Sequence, residues 1–138
     1  MSGPGLDQGA EHVLQDAEQL CMAANLVILE AGHLLAAALA LLTRAPRSLA
    51  LPLSIEPAVA SLGSGEAEGA RSVKWGPGAR EAVTIAARHA RHEGRATITI
   101  EGIALAAIEA DPVSPMFYDA LGCTRRELRE ALGGDSSD

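Results

Sequence analysis

The chain has 138 residues, of which 48% are hydrophobic and only 2% aromatic, and its formal net charge is −7. This length and composition suit one domain with a core of Ala, Leu, Val and Ile, which favours closely packed helices. The negative charge and the absence of a long Lys/Arg run exclude the positive footprint of a nucleic-acid binder, so we expect no nucleic-acid partner.

The N-terminal residues and the most apolar stretch carry no targeting or membrane signal. Residues 1–11, MSGPGLDQGAE, lack the basic start and apolar core of a signal peptide. The apolar run at residues 34–42, LLAAALALL, is much shorter than the roughly 20 residues that span a bilayer, so it predicts a buried helix. We therefore expect a cytoplasmic protein with no membrane partner.

The first predicted helix has a counterpart 69 residues further along the chain. Small or apolar residues at steps of four, three and four lie on one helix face. In the first helix these residues are Ala10, Leu14, Ala17 and Cys21, and in its counterpart they are Ala79, Val83, Ala86 and Ala90. A fixed offset of this kind indicates an internal repeat.

Each of these helices is followed by a turn residue and a short extended stretch. Asn25 and Gly94 are residue types that tolerate the left-handed conformation at a helix C-terminus. The stretches LVIL at 26–29 and ATIT at 96–99 contain β-branched residues. Each is too brief and isolated to predict a sheet.

Further helices are expected in both halves at the same offset. A second helix is predicted from near Ala31 and from near Ile100, with Thr99 as an N-cap. Pro46 and Pro115 suit the first turn of a short third helix.

A last helix completes each half, after the offset has slipped by one residue to 70. It opens at Ser54 in the first half and at Thr124 in the second. Thr124 and Glu127 form the pattern of a capping box.

The sequence thus predicts an all-α fold with eight helices, arranged as two four-helix repeats related by a pseudo-two-fold axis. The first repeat covers residues 6–61 and the second covers residues 75–132. A Gly-rich polar linker is expected at 63–72 and a flexible tail at 133–138, within a single domain.

This pattern resembles the Clp N-terminal domain, which precedes the ATPase modules of Clp (Hsp100) chaperones such as ClpC and ClpA. The resemblance covers residues 6–132. In the second repeat it rests on WGPGAREAVTIAARHARHEG, ITIEGIALAAIE and DALGCTRRELREAL, and in the first on GAEHVLQDAEQL and GHLLAAAL. It implies the predicted helical repeats and a binding function.

The resemblance implies a candidate phosphoarginine site. In the ClpC branch, the Glu of an adjacent Glu-His pair receives the guanidinium of phosphorylated arginine. Here the pair is replaced by Gly32-His33 in the first repeat and by Glu101-Gly102 in the second, and Gly76 replaces a helpful Thr. We therefore expect Glu101 to be accessible and the equivalent site at Gly32 to be empty. The alternative is that Glu101 is a solvated residue favoured by the helix dipole.

The resemblance also implies a groove where the first helices of the two repeats meet, at which related domains bind cyclic peptides and adaptors. The matching positions are Glu11, Leu14, Glu18, Trp75, Arg80 and Thr84. Glu11 is expected to pair with Arg80 across the pseudo-two-fold axis. Trp75 either anchors a ligand side chain or plugs the interface between the repeats. The first repeat has Leu6 at the corresponding position.

No arrangement of residues predicts catalysis. His89 and His92 lie three apart on a helix, but no third ligand completes a metal site, and Arg88 and Arg91 would oppose a cation. The chain has no nucleophile motif and no phosphate loop after the second repeat. We therefore expect a protein that is not an enzyme and that needs no cofactor and no metal.

Taken together, these features predict a non-enzymatic module that binds peptides, adaptors or ligands of the Clp chaperone–protease system. It would act alone, as an adaptor or a decoy. The expected partners are a Clp ATPase, its adaptors or substrates, and Clp-directed cyclic peptides. The alternative is a regulatory or small-molecule-sensing helical domain unrelated to proteolysis.

Overall fold

Seven helices and four two-residue strands occur in the residues that the computed structural model describes, namely 5–43, 53–65, 73–110, 113 and 115–133. The helices are α1 (Gln8–Ala23), α2 (Ala31–Leu42), α3 (Ile55–Ser61), α4 (Pro77–His92), α5 (Ile100–Ala110), α6 (Pro115–Leu121) and α7 (Arg125–Ala131). The strands are β1 (Gly5–Leu6), β2 (Ile28–Leu29), β3 (Lys74–Trp75) and β4 (Thr97–Ile98). The helical architecture is confirmed, whereas the helix predicted from Pro46 lies outside the described residues.

The elements recur along the chain at the offset read from the sequence. Helices α1 and α4 both have 16 residues, and α4 begins 69 residues after α1. Strands β3 and β4 follow β1 and β2 by the same 69 residues, and α7 follows α3 by 70. We refer to β1 through α3 as unit one and to β3 through α7 as unit two.

The short extended stretches do pair, contrary to the expectation from sequence. Strand β1 pairs in parallel with β4, with Leu6 opposite Ile98. Strand β2 pairs in parallel with β3, with Leu29 opposite Trp75. Each pair joins one unit to the other. A stretch with no neighbouring strand in its own half can therefore still pair, because its partner comes from the other half.

The centre of the core is formed by α2 and α5, which pack against each other, while α1 packs on α2 and α4 packs on α5. Ala-rich faces let these helices approach closely, and α2 is buried continuously from Ala31 to Leu39. This arrangement corrects the expected pairing of α1 with α4, whose direct contact is slight.

Among the described residues, no helix combines the length and the apolar character that crossing a bilayer requires.

The buried face of the first helix is rotated slightly from the predicted stripe. Ala10, Ala17 and Cys21 are buried as predicted, but Val13 rather than Leu14 completes the face. Leu14 is half-buried. This rotation turns Leu14 towards the edge of the α1–α2 contact and leaves part of its side chain accessible.

The predicted helix ends are confirmed. Thr99 Oγ1 accepts a hydrogen bond from the backbone N–H three residues further on, at 3.0 Å. Thr124 Oγ1 accepts from the N–H of Glu127 at 3.0 Å, and the Glu127 carboxylate accepts from the N–H of Thr124 at 2.9 Å. Asn25 and Gly94 adopt φ values of 60° and 73°, in the left-handed region.

Candidate functional site

Trp75 is the single tryptophan of the chain, and the structure connects it to the opposite unit. It lies half-buried in β3, where the following residue, Gly76, donates its N–H to the carbonyl of Leu29 at 2.8 Å. The indole Nε1 donates a hydrogen bond to Glu18 Oε2 on α1 at 3.3 Å. Two of the six predicted groove residues, one from each unit, are therefore in contact.

The other four predicted groove residues lie on α1 and α4 and, among the described residues, form no second hydrogen bond or ion pair between the units. Glu11 is exposed and Leu14 half-buried, and both lie on the same face of α1 as Glu18. Arg80 and Thr84 are exposed on α4, and the Thr84 hydroxyl donates to the Arg80 carbonyl at 3.1 Å. The ion pairs among the described residues do not include Glu11 with Arg80. That expectation is wrong because α1 and α4 do not pack face to face.

Glu30 is a residue near Trp75 that sequence reasoning missed. Its carboxylate lies against Gly76, where an added Cβ would collide with it. Glu30 and Glu18 also both act on the thiol of Cys21, whose pKa is raised to about 11, mainly by burial and then by these two charges. Two carboxylates from separate elements thus lie close to the β2–β3 pair. No short sequence motif predicts that they lie near each other.

Two exposed aliphatic residues lie at the start of β2, the strand that pairs with the strand of Trp75. Val27 and Ile28 are 45% and 48% exposed, and Ile28 lies opposite Lys74, next to Trp75. We call Glu18, Val27, Ile28 and Trp75 the Trp75 surface. The corresponding residues at the β1–β4 pair are Ala87, Ala96, Thr97 and Leu6. The pseudo-symmetric surface therefore has neither the indole nor a large exposed aliphatic side chain such as Val27 or Ile28.

Glu101 lies on the wall of a cavity in unit two. The cavity has a volume of about 440 Å³ and is lined by the second half of α4, β4 and the residues before it, the start of α5 and the two residues after α7. Glu101 is exposed in the first turn of α5, as expected from the sequence. Thr99, Gly102 and Arg95 also line this cavity, and Arg95 Nε lies 3.2 Å from Glu93 Oε1.

The corresponding region of unit one is filled by side chains. A Cβ at Gly32, the counterpart of Glu101, would lie 2.6 Å from Leu62 Cδ2. The site at Gly32 is therefore closed by Leu62, which corrects the expectation that it is empty. His33, the counterpart of Gly102, is only 5% exposed. Gly102 thus leaves space in unit two where unit one has a buried imidazole.

His33 is held in one tautomer by its own helix start. Its Nδ1 accepts a hydrogen bond from the Glu30 N–H at 3.0 Å, so the proton of the neutral ring lies on Nε2. Nε2 is buried and has no hydrogen-bond partner among the described residues. Burial lowers the pKa of His33 from its usual 6.5, which keeps the ring neutral.

The two histidines on α4 have different surroundings. His89 Nε2 lies 3.7 Å from Glu109 Oε2 on α5, and His92 is exposed. The described part of the chain contains no group of three or more His, Cys, Asp or Glu side chains that are placed to hold a metal ion. His89 instead connects α4 to α5.

Solved structures with a similar fold cover most of the chain. The N-terminal domain of the caseinolytic protease associated chaperone ClpD from Arabidopsis thaliana matches with a TM-score of 0.76 and 16% identity, over 92% of this chain and 91% of that one. The Hsp104 N-terminal domain from Candida albicans matches with a TM-score of 0.69 and 16% identity, over 93% and 89%. A structure from work on a malarial protein secretion system matches with a TM-score of 0.66 and 12% identity, over 93% and 92%.

The sequence itself matches no protein-family model and no curated protein. The structural likeness nevertheless extends over more than nine tenths of the chain. The protein therefore has the fold of Clp/Hsp100 N-terminal domains, and the resemblance noted from sequence is confirmed at that level.

Proposed function

We propose that this protein is a non-catalytic module that binds peptide segments of Clp substrates or adaptors at the Trp75 surface. The observation that carries the proposal is the hydrogen bond from Trp75 Nε1 to Glu18 Oε2, which holds a half-buried indole in place. The fold shared with the N-terminal domain of a caseinolytic protease associated chaperone supports an association with such machinery. The module would act as an adaptor or as a decoy for Clp ligands.

The Trp75 surface has the features of a peptide-binding hot spot. A tryptophan offers a large contact area with few rotatable bonds, and aromatic residues of this kind dominate the energetics of many interfaces. Glu18 fixes the indole before a ligand arrives, which lowers the entropy lost on binding. Val27 and Ile28 expose further apolar area at the start of β2. The surface thus suits a peptide with an apolar or aromatic anchor.

Because the chain has one tryptophan, its fluorescence reports directly on this surface. We expect a Clp-directed cyclic peptide to change the Trp75 emission and to bind the wild-type protein in anisotropy titrations with a labelled peptide. Trp75→Ala should weaken the affinity at least tenfold, since truncation of a hot-spot residue costs about 2 kcal/mol or more. Leu6→Ala, at the pseudo-symmetric position, is the matched control and should retain binding.

Equal affinity of the wild type and Trp75→Ala would refute the proposal. Equal losses in Trp75→Ala and Leu6→Ala would show that the effect comes from a general loosening of the strand pairs. Adding the protein to a Clp degradation assay then separates the two roles, because an adaptor accelerates the degradation of its substrate and a decoy slows it.

A second candidate ligand is phosphoarginine on a substrate, bound at Glu101. The observation that favours it is the exposed Glu101 carboxylate on the wall of a cavity that Gly102 leaves open. A carboxylate binds a guanidinium in a bidentate manner, and Arg95 on the same wall supplies a positive charge for the phosphoryl group. Glu101→Gln should weaken phosphoarginine binding, with free arginine as the comparison ligand. Equal affinity of both proteins would exclude Glu101 as the anchor.

A further inference from the structure

A second cavity lies at the opposite end of α5 from Glu101. It has a volume of about 480 Å³, within the range of small-molecule sites. Ile108, Val113 and Pro115 provide apolar walls, while Tyr118, Asp119 and Arg125 provide polar groups from α6 and α7. The predicted functions make no use of this cavity.

The Tyr118 hydroxyl in its wall is an unsatisfied polar group. The side chain is only 8% exposed, and its hydroxyl has no hydrogen-bond partner in the described part of the chain. Such a group costs free energy unless a ligand or a water supplies a partner. Burial raises the pKa of Tyr118 to about 12, so the phenol keeps its proton at neutral pH and remains a hydrogen-bond donor.

Arg125 supplies a positive charge next to this hydroxyl. Its Nη2 donates a hydrogen bond to the Ile108 carbonyl at 3.1 Å, which fixes the guanidinium against the end of α5. The charge of Arg125 acts on the Tyr118 phenol and opposes the effect of burial on its pKa. The remaining N–H groups of a guanidinium are suited to a carboxylate.

We propose that this cavity binds a small ligand in which an apolar body carries a carboxylate. Ile108, Val113 and Pro115 contact the body, and the Tyr118 hydroxyl and the Arg125 guanidinium donate to the carboxylate. The hydroxyl is buried within the wall, so a small rotation of the Tyr118 side chain accompanies binding. The bound carboxylate provides the acceptor that this hydroxyl does not find in ranges 5–43, 53–65, 73–110, 113 and 115–133.

Two carboxylates on the cavity wall, those of Glu109 and Asp119, allow a test of whether the ligand is negatively or positively charged. Glu109 lies on the cavity wall, 3.7 Å from His89 on α4. Asp119 is exposed and has no ion-pair partner among the described residues. Asp119 therefore repels an anionic ligand and attracts a cationic one. Removing its charge changes the two affinities in opposite directions.

Three matched probes test the proposal on the full chain: phenylacetate, the neutral phenylacetamide and the cationic phenethylamine. Binding is followed by NMR through the methyl signals of Ile108 and Val113. We expect phenylacetate to shift these signals with the highest affinity of the three. Tyr118→Phe should weaken phenylacetate about tenfold, because a hydrogen bond to a charged group is lost. Asp119→Asn should bind it equally or more tightly.

The stability of Tyr118→Phe separates a ligand-binding role from a structural one. Since the hydroxyl has no partner among the described residues, we expect its removal to leave the melting temperature unchanged or higher. The absence of methyl shifts at millimolar phenylacetate overturns the proposal. Equal binding of phenylacetate by wild type and Tyr118→Phe also overturns it, as does preferential binding of phenethylamine that Asp119→Asn weakens.

A further comparison with peptides tests whether the bound carboxylate belongs to a peptide C-terminus or to a small organic acid. Acetylated dileucine with a free C-terminus is compared with its C-terminal amide. Tighter binding of the free acid than of phenylacetate assigns the site to a chain terminus, and weaker binding assigns it to a small organic acid. Either result supports a carboxylate site, whereas equal binding of the acid and the amide contradicts it.

Discussion

Trp75 and Glu18 lie 57 residues apart in the chain and are joined by a hydrogen bond of 3.3 Å. The bond connects the strand that opens unit two to the long first helix of unit one. It holds the indole in one orientation while part of the ring remains accessible to a ligand. The same side chain therefore contributes both to the junction between the units and to the Trp75 surface, and mutation can separate these contributions.

Trp75→Ala should reduce the free energy of unfolding by less than the roughly 3–5 kcal/mol that a core aromatic contributes, because the indole is only half-buried. Trp75→Phe keeps most of the ring and removes the N–H donor, so we expect it to cost about 1 kcal/mol. Denaturant unfolding measures both. A full core-sized loss in Trp75→Ala, with cyclic-peptide affinity retained, would show that Trp75 is an interface plug.

Thr124→Ala should destabilise the protein by about 1 kcal/mol, because it removes the capping box at the start of α7. Ser54, the N-cap of α3 at the corresponding position of unit one, makes no side-chain capping bond. Ser54→Ala is therefore the matched control and should have a much smaller effect. Thermal unfolding followed by circular dichroism compares the two variants, and similar losses in both would contradict this difference between the units.

Gly94→Ala should cost about 1–2 kcal/mol, since φ at this position is 73° and only glycine adopts it without strain. An added Cβ would meet no atom within 4 Å, so the cost comes from the backbone alone. Asn25, at φ 60°, provides the comparison. Asn25→Gly should be neutral or slightly stabilising in urea unfolding. An unchanged stability of Gly94→Ala would show that this residue does not hold a left-handed conformation in solution.

The stability should fall as the solution is acidified below about pH 6.5, in part through His33. Burial lowers its pKa in the folded protein, so the unfolded chain takes up this proton at a higher pH than the folded chain does. The contribution of neutral His33 to the free energy of unfolding is fully present above pH 6.5. It decreases as the pH falls from 6.5 to the pKa of His33 in the folded protein, and it does not change further at lower pH. Urea midpoints measured across this range should show the slope.

His33→Gln should flatten that slope because it removes the titrating imidazole. His92→Gln, at an exposed helix end, controls for the loss of one histidine and should keep the wild-type profile. A slope that survives in His33→Gln would assign the pH dependence to other groups.

The repeat made most of the fold predictable from sequence. Helix starts at Ala31, Ile100 and Thr124 follow from capping residues and apolar spacing, which act within a few residues of the chain. The strands were missed because a two-residue strand gains its hydrogen bonds from a partner in the other unit. A pattern of neighbouring residues in the sequence does not show which distant strand will be the partner.

The candidate site was predictable only in part, for a related reason. Trp75 and Glu18 were named because they match groove positions of the family that the sequence resembles, and the structure brings them into contact. Glu11 and Arg80 were paired on the assumption that α1 faces α4, whereas the more apolar helices α2 and α5 occupy the centre. The cavity at Glu101 depends on the space left by Gly102, which only the packed structure defines.

Both strand pairs of the described chain cross from one unit to the other, so neither unit satisfies the edges of its own strands. A single unit produced alone would lack the partners of its strands, and a second copy of that unit would supply them in a homodimer. In a homodimer, both copies have the same sequence, so a substitution at one strand pair also appears at the other. The two units of this chain have separate sequences, so that constraint is absent. Trp75 lies at one junction while Leu6 lies at the other, and the two equivalent surfaces therefore carry different side chains.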